Sequence, residues 1–228
     1  MFKKLSNIGD CGIVCDFGDE VNQKINSNVI KLFHHVRKQV LKGNLKGILN
    51  YTPSYNKLII NFDLQKINSS TIIDFLESVD FSQLSFSQNK KEWKIPICYD
   101  FAMDLKNISK TLKIDENEII NIHLKTIFFI YMVGFIPGHP FMGDLDSKLF
   151  LNRLKTPRVK IPAGSVGIVE KFCNIYPYES PGGWHIIGRT PTKLFNTKDN
   201  SNPCLLSPGD IVKFKSISKK EFENLNNE

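Results

Sequence analysis

Gly134-Phe135-Ile136-Pro137-Gly138-His139-Pro140-Phe141-Met142-Gly143 decides how the second half of this 228-residue chain folds. Half of its residues are Gly or Pro. Proline locks φ and removes an N–H, and glycine opens the left-handed region, so no helix runs through such a stretch. Before it stands the apolar run 127–135, which reads as a buried strand. Two related stretches follow, Thr156-Pro157-Arg158-Val159-Lys160-Ile161-Pro162-Ala163-Gly164-Ser165 and Ser180-Pro181-Gly182-Gly183-Trp184, the latter leading into Ile187-Gly188-Arg189-Thr190-Pro191. Short β-branched runs at 166–169, 185–187 and 211–214 alternate with these turns. Residues 134–209 carry nine Gly and nine Pro, and such short strands at tight turns imply a closed or nearly closed β-barrel.

Upstream the punctuation is sparse: residues 1–91 hold five Gly and one Pro, so longer elements are expected there. Residues 10–17 read as a strand. Ile25, Val29, Leu32, Val36 and Val40 then recur on one helical face, which Gly43 ends. Strands follow at 46–52 and 56–62, with Pro53-Ser54 at the turn. A second helix starts at Asn68 as N-cap and presents Ile72, Phe75, Leu76 and Val79. After a polar linker at 82–91, residues 93–99 read as a strand. This β-α-β-β-α-β order is the split pattern of ferredoxin-like domains. Leu105, Ile108 and Leu112 mark a short helix. Asp115 with Glu118 starts another, which carries Ile119, Ile122 and His123. Residues 219–228 read as a polar tail without a core role. The fold class is α+β, with a ferredoxin-like α/β domain over 1–88 and a β-barrel domain over 89–228.

The net charge is +7, yet it does not point to nucleic acid. Only four of the 30 basic residues are Arg (Arg37, Arg153, Arg158 and Arg189), and Ile, Lys and Asn together make up 74 of the 228. That bias is expected of an AT-rich coding sequence, and scattered lysines give solubility rather than specificity. Five cysteines at wide spacing suit reduced thiols. No apolar h-region follows Lys3 and Lys4, and no apolar run is long enough to cross a bilayer, so a cytoplasmic protein without membrane or nucleic-acid partners is expected.

No phosphate-binding glycine loop occurs, and the five histidines lack ligand spacing, so no metal site is expected. Ala163-Gly164-Ser165-Val166-Gly167 comes one residue short of a nucleophile elbow. Pro162 precedes it and β-branched residues follow, so it reads as a turn entering a strand. Arg158 and Arg189 stand inside Gly/Pro turns, where each guanidinium serves either an anionic ligand or a structural clamp. His123 is either a core residue or a general base, and Trp184 either a core anchor or a pocket wall.

GFIPGHPFMG, TPRVKIPAGSVGIV, IYPYESPGGWHIIGRTPTKLF and LLSPGDIVKF, with the earlier GDCGIVCDFGDE and DENEIINIH, resemble the 5-oxoprolinase B-subunit family. That family is also known as allophanate hydrolase subunit 1 or as inhibitors of a sporulation histidine kinase. The resemblance spans nearly the whole chain. It implies that the second domain is a cyclophilin-like barrel. It also implies two partners, a second cyclophilin-like subunit of type C and a barrel-type subunit of type A. The assembly opens 5-oxoproline to glutamate with ATP held at the level of the complex. Related domains in urea carboxylase form its carboxyltransferase region, so a carboxyltransferase or allophanate-hydrolase role on a urea-like substrate is the enzymatic alternative. Inhibition of a histidine kinase is the non-enzymatic one.

On this reading Arg158 and Arg189 neutralise a substrate carboxylate or phosphate, and His123 is the weaker candidate for proton transfer. Pro137, Gly138, Phe141, Pro162, Gly164, Ser165, Gly182, Gly183 and Trp184 form the substrate-binding set. Backbone N–H groups near Gly138, Gly164 and Gly183 meet developing negative charge. The chain departs from the family pattern at His139, where an aromatic is usual, and at Cys173-Asn174, where Thr-Gly is usual. Leu124-Lys125 follow His123 where Ser is common, and Phe128 replaces a common Tyr.

Overall fold

The computed structural model describes residues 2–84 and 90–226. The chain divides into two compact units, Met1–Asn89 and Lys90–Glu228. The domain boundary expected at residue 88 and the middle of the expected linker lie outside the described residues.

The first unit runs β1 (Lys4–Asn7), β2 (Gly12–Asp16), α1 (Gln23–Leu41), β3 (Ile48–Pro53), β4 (Lys57–Phe62) and α2 (Ser69–Glu77). Its strands form an antiparallel sheet in the order β1-β2-β4-β3, so β4 lies between the two strands that α1 connects. Alternate residues Ile13 and Cys15 of β2, and Leu58, Ile60 and Phe62 of β4, are buried, as the two-residue period of a strand requires. Val29, Leu32 and Val36 of α1 and Ile72 and Leu76 of α2 meet them in one core. Each large side chain so buried contributes about 1.5–3 kcal/mol. Asn22 caps α1 by accepting from the Lys24 and Ile25 amides, and Asn68 caps α2 by accepting from the Thr71 amide at 2.8 Å. Lys42 and left-handed Gly43 end α1.

The fourth strand of the expected β-α-β-β-α-β pattern is not part of this unit. Residues Glu92–Ile97 form β5, which pairs parallel with β13 (Ile211–Ser216) in the second unit. Ile95 and Ile97 enter that unit's core, and the Trp93 indole N–H donates to the Asp210 carboxylate at 2.9 Å. In the first sheet the edge beside β2 is taken by β1, which sequence periodicity did not reveal.

The second unit continues with α3 (Leu105–Leu112), α4 (Glu116–Lys125), β6 (Phe128–Val133), β7 (Pro140–Gly143), β8 (Arg158–Ile161), β9 (Ser165–Val169), β10 (Phe172–Ile175), β11 (Ser180–Gly182), β12 (His185–Arg189), β13 and α5 (Lys219–Asn226). Seven strands lie in the order β12-β9-β10-β7-β6-β13-β5. The two edges meet where Cys98 and Arg189 exchange backbone hydrogen bonds of 2.8 and 3.0 Å. The sheet is therefore a nearly closed barrel, and it fits a cyclophilin-like fold. β8 and β11 make a separate two-stranded flap. Asp115 caps α4 by accepting from the Asn117 amide.

The expected polar tail is instead α5. Phe222 is buried there, with its ring centroid 4.6 Å from that of Phe101 and 5.5 Å from the Arg189 guanidinium. One aromatic side chain outweighs the polar composition around it. Among the described residues no helix is long and apolar enough to cross a membrane.

Candidate functional site

Consecutive residues of a strand face opposite ways, and on β10 this separates two environments. Cys173 points into the barrel core with Met142 and Ile168. Asn174 points outward, in register with Phe141 of β7 and Gly167 of β9. Gly167 makes room for it, because a Cβ there would lie 2.8 Å from Asn174 Oδ1. Asn174 Nδ2 donates to His139 Nε2 at 2.9 Å. The His139 ring stacks on Phe141, with centroids 4.9 Å apart and planes 13° apart, and tilts toward Tyr176 at 5.3 Å. Trp184 meets Phe141 edge-on.

These side chains, with Phe135, Arg153, Val169, Glu170, Pro181 and Gly182, enclose a pocket of about 260 Å³ between the sheet and the flap. Gly182 lets the flap approach, since a Cβ there would collide with Tyr176 Oη. At the mouth Phe135 is 78% exposed and holds φ at +73°, a left-handed backbone uncommon for a bulky residue. Such conformations cluster at ligand clamps.

With Asn174 donating to Nε2, the neutral His139 imidazole carries its proton on Nδ1. Burial lowers its pKa to about 4, so the ring is uncharged at neutral pH. His139 Nδ1 and Asn174 Oδ1 are both buried without a hydrogen-bond partner. Burial also raises the Tyr176 phenol. Arg153 is exposed at the pocket wall and enters no ion pair among the described residues. Its loop is tied down by the Leu154 amide, which donates to the Gly183 carbonyl at 2.9 Å.

Of the substrate-binding set expected from sequence, Phe141, Gly182 and Trp184 line this pocket, and Gly183 stands behind Arg153. Pro137 and Gly138 belong to the loop between β6 and β7, where Gly138 packs under Phe195 and the Leu194 carbonyl. Pro162, Gly164 and Ser165 form the turn into β9. The Gly164 N–H already donates to the Tyr176 carbonyl at 2.7 Å, so it does not serve a developing oxyanion. Ser165 is buried at the start of a strand, with no helix after it.

The two arginines expected to hold an anion are engaged elsewhere. Arg158 pairs with Asp104, which is buried and also accepts from the Ile186 amide at 2.6 Å. Its charge is thus already compensated. Arg189 Nε donates to the Ala163 carbonyl at 2.7 Å while the guanidinium covers Phe222. Each clamps a turn.

His123 has no exposed surface. Tyr99 Oη lies 2.7 Å from its Nδ1 and Cys173 Sγ 3.7 Å from its Nε2, with Phe128 and Phe214 around the ring. Burial drives its pKa down to about 3 and the Cys173 thiol well up. It is a neutral core histidine that does not line the pocket. Sequence reasoning missed Asn174, Tyr176 and Arg153 as pocket residues and met His139 only as a departure. Arginine scarcity was the signal that marked Arg153, but its surroundings lack the Gly/Pro pattern.

The sequence pattern described as carboxyltransferase domain, subdomain C and D, matches residues 3–206. The chain belongs to the 5-oxoprolinase B-subunit and carboxyltransferase family. It is 34% identical to the 5-oxoprolinase B-subunit of Bacillus subtilis (strain 168), over 96% of this chain and 95% of that protein. The crystal structure of TTHA0988 superposes with a TM-score of 0.76 at 26% identity, over 91% of this chain and 40% of that longer one. The Kluyveromyces lactis urea carboxylase shares the fold, with a TM-score of 0.75 at 23% identity, over 96% of this chain and 22% of that protein.

Proposed function

We propose that this chain is the B-subunit of a cytoplasmic, ATP-dependent 5-oxoprolinase, which opens 5-oxoproline to glutamate together with a cyclophilin-like subunit of type C and a barrel-type subunit of type A. The near-complete match to a protein named as a 5-oxoprolinase B-subunit carries this reading. The pocket lined by Phe141, Gly182 and Trp184 supports it, being small, partly aromatic and open to solvent. Arg158 and Arg189 hold the turns that shape its surroundings, and His123 stabilises the barrel behind it.

The pocket does not fit a nucleotide. It is small, five of its eleven lining residues carry aromatic rings, and Glu170 adds a negative charge to the wall that phosphates would meet. ATP is assigned to the assembled complex, no step is derived for it in this chain, and the isolated chain is inactive on this reading. The first unit is read as a ferredoxin-like variant in which β1 replaces the strand after α2. Carboxyl transfer to a urea-like substrate is the weaker reading, because neutral urea leaves Arg153 without a counter-ion.

Co-purified with its type-A and type-C partners, the chain should support ATP-dependent glutamate release from 5-oxoproline, and its omission should abolish that release. Trp184→Ala should lower kcat/KM by about tenfold or more, the loss expected when one aromatic wall of a site is removed. Undiminished release without this chain would overturn the proposal.

A further inference from the structure

Opposite charges stand unpaired on the wall of one pocket. Arg153 and Glu170 both line the space between sheet and flap, and neither enters an ion pair among the described residues. One loop holds this part of the wall together. The Glu170 amide donates to the Leu151 carbonyl at 2.7 Å and the Leu154 amide to the Gly183 carbonyl at 2.9 Å. Arg153 lies between those two ties. Glu170, like Phe135, has a left-handed backbone, at φ +48°. Four non-glycine residues among the described ones do so, and these two line the same pocket, as is common where strain serves a ligand clamp. A guanidinium alone admits any anion and a carboxylate any cation, whereas the two together favour a ligand that carries both charges. Phe141, Val169, Tyr176 and Trp184 give the pocket its apolar surface.

Resting on the reading above, we propose that this pocket also binds a free α-amino acid with an apolar side chain, which inhibits the complex by competing with its substrate. Arg153 takes the α-carboxylate and Glu170 accepts from the α-ammonium group. The side chain lies against Phe141, Tyr176 and Trp184. 5-Oxoproline has the same carboxylate, but its nitrogen is locked in a neutral amide and leaves Glu170 without a counter-ion. L-Glutamate has the ammonium group, but its second carboxylate is repelled by Glu170. A pocket of about 260 Å³ holds one such molecule at a time. Glu170 is therefore the residue that tells inhibitor from substrate.

The test titrates the full chain with L-phenylalanine, 3-phenylpropionate and 2-phenylethylamine, following Trp fluorescence and saturation-transfer NMR. The second probe lacks the ammonium group and the third the carboxylate. L-Phenylalanine should bind at least about tenfold more tightly than either, the loss expected when one charge-assisted hydrogen bond is removed. It should also bind more tightly than L-glutamate. Glu170→Gln should erase its advantage over 3-phenylpropionate, and Arg153→Gln its advantage over 2-phenylethylamine. Arg153→Lys should restore the latter in part, because lysine keeps the charge without the fork. Both side chains are exposed, so these replacements leave the core intact. In the assembled complex L-phenylalanine should raise the KM for 5-oxoproline at unchanged kcat. Equal binding of the three probes, no binding at millimolar concentration, tighter binding of L-glutamate, unchanged preferences in the variants, or an unaltered KM would each overturn the proposal. Glutamate release by a complex whose B-subunit binds the probes without preference would sink this inference and spare the 5-oxoprolinase reading. Selective binding of L-phenylalanine beside a wild-type complex that releases no glutamate would sink that reading and spare the amino-acid site.

Discussion

Two histidines lie buried on opposite faces of one barrel sheet, and consecutive residues of β10 serve them. Cys173 stands against His123 in the core, and Asn174 holds His139 on the outer face. Both rings are neutral because burial disfavours the imidazolium. The core histidine is surrounded by Tyr99, Phe128 and Phe214, with both ring nitrogens in contact. The outer one keeps Nδ1 unpartnered beside a pocket with an exposed arginine. Equal burial and similar pKa therefore say little about function. The partners left unmade, and the space beside them, are what separate the two histidines.

The comparison breaks most visibly on the core side. His123→Ala removes a fully buried ring and strands the Tyr99 hydroxyl, so a denaturant melt should register a loss of about 4 kcal/mol. If the loss is under about 1 kcal/mol, His123 is not the packed residue described above. Acidification probes both histidines together. Their folded pKa values lie below the ordinary value of 6.5, so the unfolded chain binds more protons below that pH. Stability is full above about pH 6.5 and falls as pH drops toward 4, by about 2 kcal/mol per histidine between pH 6.5 and 5. Removing His123 or His139 should each flatten this slope, leaving the part owed to the other ring and to His34 and His35, which burial also lowers; an unchanged slope would show that the ring in question is not buried neutral.

On the outer face the effects are smaller. Gly167→Ala places a Cβ against Asn174 Oδ1 and should cost about 1–2 kcal/mol while disrupting the His139–Asn174 bond. Imidazole NMR of His139 reports the change, and an undisturbed ring signal would contradict the packing. His139→Phe keeps the stacking on Phe141 and loses one hydrogen bond, so its stability cost should be only about 1 kcal/mol. A cost as large as that of His123→Ala would mean that the two faces are energetically alike.

Local signals were read where their physics is local. The stripe from Ile25 to Val40, the caps at Asn68 and Asp115 and the stop at Gly43 needed only a few neighbouring residues. The Gly/Pro stretches located the barrel turns, and three members of the expected set, Phe141, Gly182 and Trp184, do line the pocket. Pairings at long range were not legible. His139 and Asn174 are 35 residues apart, and Arg158 and Asp104 are 54 apart. The sequence left the turn arginines open between ligand and clamp, because the carboxylate and carbonyl that engage them come from other elements.

From its sequence alone this chain is an α+β protein with a turn-rich barrel in its second half, since helix stripes, caps and fixed-φ prolines act over a few residues. Tertiary structure decided that β5 joins the barrel, that Phe222 makes the tail a helix with a buried face, and that Asn174 rather than Cys173 faces the pocket. Strand pairing and register set the first and the third, and contact of Phe222 with Phe101 and Arg189 sets the second; all depend on which distant side chains are buried together.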